Sequence, residues 1–346
     1  MNDSAYITLR IRELADEVPG FKTVVFEDGH HIDYKAGQYL TFIKRLGNKE
    51  IRRSYSITSS PALNEPLSIG IKRIDNGIFS RWFIDTAKPG DTVQTIGSGG
   101  FFVLPDDVNS YKQLFFFAAG SGITPVFSLI KTALVQYPAL ELVLIYSNHS
   151  HSSAVYLRQL EALQQQYAGR LHAVFLFSNT SQLVKARLHK ELIVEILDEF
   201  AVSHRDKMLC YICGPENYMR MCTYTLEEAA IPSFNIRRET FIVDKNPKIN
   251  LVPPDKASHK ATLIKAGRET EFLVIYPDSI LKSAKKAGLQ LPYSCETGKC
   301  GSCVARCVEG RVWHSYNEVL TEADLAKGLV LTCVGHPIYG DIRLEM

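Results

Sequence analysis

Four cysteines near the C-terminus, Cys295, Cys300, Cys303 and Cys333, constrain this chain more than any other feature. Their spacing is C-x4-C-x2-C, followed after 29 further residues by the fourth cysteine. A plant-type [2Fe–2S] cluster asks for this arrangement, with three thiolates on one short loop and a fourth brought in from a distant strand. The loop runs Cys295-Glu296-Thr297-Gly298-Lys299-Cys300-Gly301-Ser302-Cys303. Its glycines let the backbone bend tightly and turn N–H groups toward sulfur. Zinc is the main rival for four cysteines, but it more often takes two separated C-x2-C pairs. His314 and His336 offer imidazoles of the Rieske kind, yet four thiolates already complete a ligand set.

At 346 residues the chain is long for one domain, and two or three are expected. A hydrophobic fraction of 46% with 22% charged residues is ordinary for a globular protein. The net charge of +2 and the lack of any basic run give no reason to expect a nucleic-acid partner. The longest apolar runs, 114–119 and 140–146, are too short to span a bilayer. The first residues, Met1-Asn2-Asp3-Ser4-Ala5-Tyr6, lack the charged-then-apolar pattern of an export signal. Eight cysteines in an unexported chain point to a reducing, cytoplasmic setting and to metal or redox use rather than disulfides. Of the cysteines outside the motifs, Cys210, Cys222 and Cys307 are expected to be structural.

Three regions differ in pattern. Residues 1–108 hold short β-rich runs at 6–11, 22–27, 39–43, 53–57, 67–74 and 92–96, separated by Gly and Pro. Such spacing predicts a small antiparallel β-barrel. Residues 109–245 alternate buried-strand runs (114–119, 141–146, 173–177, 208–213, 234–237) with helical stretches (125–137, 155–167, 188–200, 216–229). That alternation predicts an α/β domain on a parallel sheet. Residues 246–258, rich in Pro, Asn, Asp and Lys, read as a linker. The remainder, 259–346, predicts strands at 261–265 and 271–275, a helix over 279–287 ended by Gly288, the cysteine loop, and strands at 304–308, 330–333 and 341–345.

Outside the cysteine loop, three segments carry chemistry. The strand Arg53-Ser54-Tyr55-Ser56 is by itself an ordinary half-exposed strand. About 20 residues later, Gly77-Ile78-Phe79-Ser80 opens an amphipathic stretch, and free N–H groups at a helix start suit a phosphate. Arg53 could clamp the same diphosphate, and Tyr55 could stack on a flat ring. The second segment, Ala119-Gly120-Ser121-Gly122-Ile123-Thr124-Pro125, is a strand running through G-x-G into a helix, the context in which glycines admit a dinucleotide diphosphate. Pro125 stands where the common fingerprint has its third glycine. The third, Cys213-Gly214-Pro215, ends the fourth strand of the parallel region, where ligands of such sheets gather. On its own Cys213 reads as a small buried core residue.

Together these motifs resemble the ferredoxin–NADP reductase superfamily, and in particular its fused iron–sulfur flavoprotein reductases. The likeness covers nearly the whole chain, in the order flavin barrel, nicotinamide domain, β-grasp plant-type ferredoxin. The family's R-x-Y-S strand matches Arg53, Tyr55 and Ser56, with Ser54 between them. The resemblance implies that Arg53 holds flavin phosphate, Tyr55 packs on the isoalloxazine, and Ser56 bonds near its reactive nitrogen. Gly77 and Ser80 match the diphosphate grip of FAD-binding members, which favours FAD over FMN. Gly120, Gly122 and Thr124 imply nicotinamide dinucleotide contact. Cys213, Gly214 and Pro215 imply a thiol beside the nicotinamide. Glu239-Thr240-Phe241 resembles the E-x-F that ends this domain, where Phe241 can cover the flavin. The four cysteines 295, 300, 303 and 333 are then the iron ligands.

One departure leaves NADH and NADPH open. The second strand of the parallel region ends Tyr146-Ser147-Asn148-His149, where many members carry Asn-Arg. No acidic residue closes that strand end, and the nearest cations are Arg158, Lys185 and Arg187. The expected activity is an NAD(P)H-dependent electron-transfer reductase passing electrons through FAD and the cluster to a separate oxygenase of di-iron or Rieske type. Two rivals stay open: a freestanding reductase of another carrier protein, and a redox-sensing iron–sulfur protein that turns nothing over.

Overall fold

Alternating burial builds the first sheet. In β1 (Ile7–Val18), Leu9 and Ile11 point into the core while Thr8 and Arg10 face water, the period of a strand with one wet side. It pairs with β2 (Phe21–Phe26), and β3 (Tyr39–Leu46), β4 (Lys49–Ser56), β5 (Ser68–Lys72) and β6 (Thr92–Gly99) complete an antiparallel sheet in the order β4-β3-β6-β1-β2-β5. An antiparallel bridge between Ile57 and Ile69 joins the two outer strands, so the sheet closes on itself as a barrel. Phe42 lies at its centre, 5.6 Å from the Phe83 ring and 6.0 Å from the Phe26 ring. One turn of helix, α1 (Ile78–Arg81), running on through Trp82–Thr86, supplies Phe79 and Phe83 to that core.

The second sheet is wholly parallel. Its strands are β7 (Gln113–Ala119), β8 (Glu141–Asn148), β9 (Leu171–Phe177), β10 (Met208–Cys213) and β11 (Ile236–Glu239), in the order β11-β10-β7-β8-β9. Helices α2 (Ile123–Gln136), α3 (Leu157–Gln166), α4 (Lys190–Phe200) and α5 (Glu216–Glu228) connect them. The chain builds outward from β7 to β9 and then returns to add β10 on β7's other side. The crevice at the carboxyl ends of β7 and β10 is therefore the switch point at which such sheets bind ligands.

The structure, a computed structural model, describes residues 6–47, 49–181, 186–241, 251–265 and 267–346. Contacts divide it into two compact units, Met1–Glu239 and Thr240–Met346. Barrel and parallel sheet thus belong to one unit, and α2 shows why. Nearly every residue of α2 from Ile123 to Leu134 is buried. Thr124, Ser128, Lys131 and Thr132 recur at helical spacing and would read as a solvent-facing stripe. Instead they meet the barrel. Ser128 Oγ donates to the Ser59 carbonyl at 2.6 Å, and the Ser60 and Thr132 hydroxyls lie 2.7 Å apart. Lys131 pairs with the Glu65 carboxylate, which also accepts the Ser60 N–H at 2.7 Å. Tyr156 adds a second tie, stacked on Phe127 and 2.8 Å from the Thr23 hydroxyl.

The second unit is a mixed sheet of β12 (His259–Lys265), β13 (Arg268–Val274), β14 (Val304–Glu309), β16 (Leu329–Leu331) and β18 (Ile342–Glu345), in the order β13-β12-β18-β14-β16. Helix α6 (Ile280–Lys286) is capped by the Ser279 hydroxyl, which accepts the Lys282 N–H. Three short elements were not legible as periodic runs: β15 (Val312–His314) paired with β17 (Gly335–Pro337), and α7 (Glu322–Ala326) with its Thr321–Asp324 capping box. Of the expected linker, 246–250 lie outside the described residues and 251–258 carry no helix or strand. Asp255 within it accepts the N–H groups of Ala257 and Tyr339, at 2.8 and 2.6 Å, and meets His259 at 2.8 Å, so this part is tied to the second unit. Among the described residues no helix is long and apolar enough to cross a membrane.

Lys131→Met should destabilise the first unit by about 2 kcal/mol, because it strands a carboxylate that is about a third exposed. Adding Glu65→Leu should recover most of that loss. Urea unfolding of the three chains measures both effects.

Candidate functional site

The switch-point crevice is shaped by two glycines that let backbones touch. A Cβ on Gly122 would stand 2.1 Å from the Cys213 carbonyl oxygen and 3.0 Å from the Gly214 nitrogen. One on Gly214 would stand 2.9 Å from the Ala119 Cβ and 3.0 Å from the Tyr218 ring. The Gly120–Gly122 loop and the Cys213–Pro215 loop are thus in direct contact. Gly120 takes φ +54°, a left-handed turn that suits glycine. Thr124 follows this loop near the start of α2. It is 2% exposed, its hydroxyl donates to the Ser121 carbonyl at 3.0 Å, and its methyl packs over Gly70 of the barrel. Its part in this geometry is to hold the loop on the barrel. Pro215 is the N-cap residue of α5.

Cys213 is buried, and burial first, then Glu239, pushes its thiol up. Glu239 ends β11 with its Cα paired to that of Cys213. It is buried, its Oε2 has no hydrogen-bond partner among the described residues, and burial pushes its carboxyl up to about 8. At neutral pH the group is mostly a neutral acid. The sequence places Glu239 in the E-x-F motif without assigning it a role. The available signal was an acidic side chain at the end of a strand of a sheet buried on both faces, where apolar residues are the rule. Phe241, two residues on, is exposed.

On the barrel, Arg53 is exposed and donates to the Arg52 carbonyl at 2.6 Å, and Ser54 and Thr41 hydroxyls lie 2.9 Å apart. Tyr55 leans on the Phe42 and Phe83 rings, and burial pushes its phenol up. Ser56 is buried opposite Tyr39. Ser80, which with Gly77 matches the diphosphate grip, turns its hydroxyl inward. Its Oγ accepts the Ile74 N–H at 3.2 Å, and a Cβ on Gly77 would meet it at 2.1 Å. Gly77 makes room for that lock, and the first turn of α1 keeps backbone N–H groups that no side chain caps. A diphosphate here would bind to backbone, not to the Ser80 hydroxyl.

The four cysteines at cluster spacing come together in the second unit. Cys295, Cys303 and Cys333 are buried and Cys300 is half-buried. Backbone N–H groups point at sulfur: Thr297 to Cys295 at 3.4 Å and Cys295 to Cys300 at 3.5 Å. The loop passes through left-handed conformations at Glu296, Gly298 and Gly301, with φ +61°, +77° and +70°. Cys333 is set by its neighbour: Thr332 donates its N–H and hydroxyl to the Cys303 carbonyl at 3.2 and 3.0 Å. Strand β16 therefore stops at Leu331 rather than at Cys333. The thiols influence one another's ionisation. Cys300 holds Cys295 down and Cys333 holds Cys303 down, while Cys295 pushes both Cys300 and Cys333 up. Among the described residues no three His, Cys, Asp or Glu side chains close around one point as a single ion requires. A binuclear cluster divides four thiolates between two irons, so this donor set fits it and would lose its thiol protons on binding.

Comparison with known proteins agrees in order and extent. Residues 10–103 match the oxidoreductase FAD-binding domain family, 116–223 the oxidoreductase NAD-binding domain family, and 263–337 the 2Fe-2S iron-sulfur cluster binding domain family. The chain is 30% identical to a subunit of the 1,2-phenylacetyl-CoA epoxidase of Escherichia coli (strain K12), over 90% of this chain and 88% of the relative. It is 27% identical to the ferredoxin reductase component of 3-ketosteroid-9-alpha-monooxygenase from Rhodococcus rhodochrous, over 99% and 97%. The solved structure of phthalate dioxygenase reductase superposes with a TM-score of 0.59 at 21% identity, covering 99% of both chains.

Gly122→Ala should force the two loops apart and slow nicotinamide-driven flavin reduction tenfold or more (about 1.4 kcal/mol per factor of ten), as read by stopped-flow absorbance. Glu239 sets a pH dependence of stability. Unfolded it ionises near 4.5, folded near 8. Between those values the folded chain holds the extra proton, so stability falls as pH rises through the window, by on the order of a few kcal/mol. In Glu239→Gln that part of the slope should vanish from the melting temperature plotted against pH.

Proposed function

The chain belongs to the fused iron–sulfur flavoprotein reductases of the ferredoxin–NADP reductase superfamily, and from that premise we propose that its electrons go to a separate oxygenase component. It is an NAD(P)H-dependent oxidoreductase with FAD and a [2Fe–2S] cluster. The observation that carries the proposal is the set of four thiols gathered around one loop, with backbone N–H groups aimed at two of them, on the same polypeptide as a nicotinamide cleft. Bound FAD would take electrons in pairs and release them singly to a cluster that carries one at a time, which is chemistry no side chain supplies.

What the residues do is position and exclude. Gly122 and Gly214 let the cleft close on a dinucleotide. Cys213 and Glu239, buried and uncharged, give the nicotinamide end a wall that repels neither the ring nor a leaving hydride's path. Ser56 and Tyr55 belong to the isoalloxazine side, with Arg53 and the α1 N–H groups on phosphate. Cys295, Cys300, Cys303 and Cys333 are the iron ligands. Cys300, the least buried of them, marks the side from which electrons leave.

An oxygenase partner is supported by the relatives' roles: one is part of an epoxidase of a CoA-linked acid, another the reductase component of a steroid monooxygenase. A di-iron or Rieske-type hydroxylase of aromatic or CoA-linked acids fits best. Cys300→Ser should leave flavin reduction by NAD(P)H intact and cut cytochrome c reduction and oxygenase coupling by more than tenfold (about 1.4 kcal/mol or more). Undiminished coupling in that variant would remove the cluster from the route.

A further inference from the structure

Thr297, inside the cysteine loop, is 8% exposed, and its Oγ1 is buried with no hydrogen-bond partner among the described residues. A buried hydroxyl left unpaired is costly, so the group calls for a partner that the chain does not supply. Its two neighbours hold it in place. Glu296 turns through φ +61°, and Lys285 Nζ draws its carboxylate outward at 2.9 Å while lying 3.2 Å from the centre of the Tyr293 ring. Gly298 is pressed against the 316–318 segment. Its carbonyl accepts the Glu318 N–H at 3.1 Å, and a Cβ on it would stand 2.9 Å from the Tyr316 carbonyl oxygen. Between these two anchored residues a β-branched side chain has little choice of rotamer. The Thr297 N–H donates to Cys295 Sγ at 3.4 Å. Cys300 and Cys333 bear most on the charge of that sulfur, and the Thr297 hydroxyl is near enough to bear on it as well.

We propose that the Thr297 hydroxyl is a donor reserved for the cluster, bonding to sulfur on its Cys295 side, and that this bond raises the cluster's reduction potential. The inference rests on the iron–sulfur reading of the four cysteines. A threonine hydroxyl has one proton to give, and an apolar side chain of the same shape has none. An added electron makes the sulfurs more negative, and a hydrogen bond to them is worth more in that state. Burial strengthens the effect, because little water reaches the site to screen the bond or to replace it. The backbone donors to Cys295 and Cys300 follow from the path of the loop. The hydroxyl at 297 is a further donor that the choice of side chain adds. A higher potential makes the cluster accept an electron more readily and release it less readily. Residue 297 thereby divides the driving force between the step into the cluster and the step out of it.

An anaerobic redox titration of the loaded protein, followed by the electron paramagnetic resonance of the reduced cluster, reads the potential without turnover. Thr297→Val keeps the shape and removes the hydroxyl. It should lower the ratio of reduced to oxidised cluster at a fixed potential about tenfold, a shift of about 59 mV for one electron. Thr297→Ser keeps the hydroxyl and should stay within about threefold of the native chain. Resonance Raman spectra of the oxidised protein give a second reading: the change in the iron–sulfur stretching bands on transfer to D2O should be smaller in Thr297→Val than in the native chain. A ratio that moves less than about threefold in Thr297→Val, or that falls as far in Thr297→Ser, overturns the assignment. So does an equal response to D2O. Where Thr297→Val takes up no cluster, Thr297→Ala is compared with Thr297→Ser on the same terms. A native chain that forms no paramagnetic cluster on reduction sinks the iron–sulfur reading and this inference together, whereas a native cluster indifferent to residue 297 sinks this inference alone.

Discussion

The buried polar face of α2 is the contact on which the cleft depends. The helix begins at the Gly120–Gly122 loop and runs down one side of the barrel. Its hydroxyls and one lysine are bonded to Ser59, Ser60 and Glu65. A single rigid rod therefore sets both the position of the nucleotide loop and the placing of the parallel sheet on the flavin-side barrel. Polar groups suit this task because their bonds are directional, and each one left unpaired in a buried interface is costly. An apolar interface of the same area would hold the two halves together but fix their registration less firmly.

Glycines do the corresponding work at the mouth of the crevice. At Gly122 the missing side chain lets one loop lie against the other's backbone, an approach closer than any Cβ permits, and at Gly214 it makes room for the Ala119 Cβ and the Tyr218 ring. Gly77 has another reason. It clears space for the Ser80 hydroxyl, which locks the loop from Ile74 onward. The same residue type in two motifs thus answers two needs, one toward a neighbouring loop and one toward the protein's own interior. Burial adds a second layer. By keeping Cys213 and Glu239 uncharged, the interior prepares a wall without fixed charge at the place where strands β10 and β11 end.

Much was legible in the chain because it is local. Cluster ligation needs three thiolates within a nine-residue loop, and that spacing stands in the sequence whatever the rest of the fold does. Strand–helix alternation likewise announces a parallel sheet, since buried strands and covering helices have different periods. Short elements such as β15, β17 and α7 went unread, for three to five residues repeat a strand or helix period too few times to stand out. The polar stripe of α2 was invisible for the opposite reason. Its period is clear, but a periodic polar face says only that a side differs, not whether water or a barrel lies against it.

By itself the sequence determined the order of the three functional regions, the four cysteines at cluster spacing and the glycines of the nucleotide loop, because these follow from covalent spacing and backbone freedom. Only the tertiary structure decided which way hydroxyls turn and which acids lose their charge. Ser80 faces inward, Thr124 faces the barrel, and Glu239 is buried beside Cys213. Each of those outcomes depends on what is packed opposite, and a desolvated carboxyl or a satisfied hydroxyl is a property of its surroundings rather than of its place in the chain.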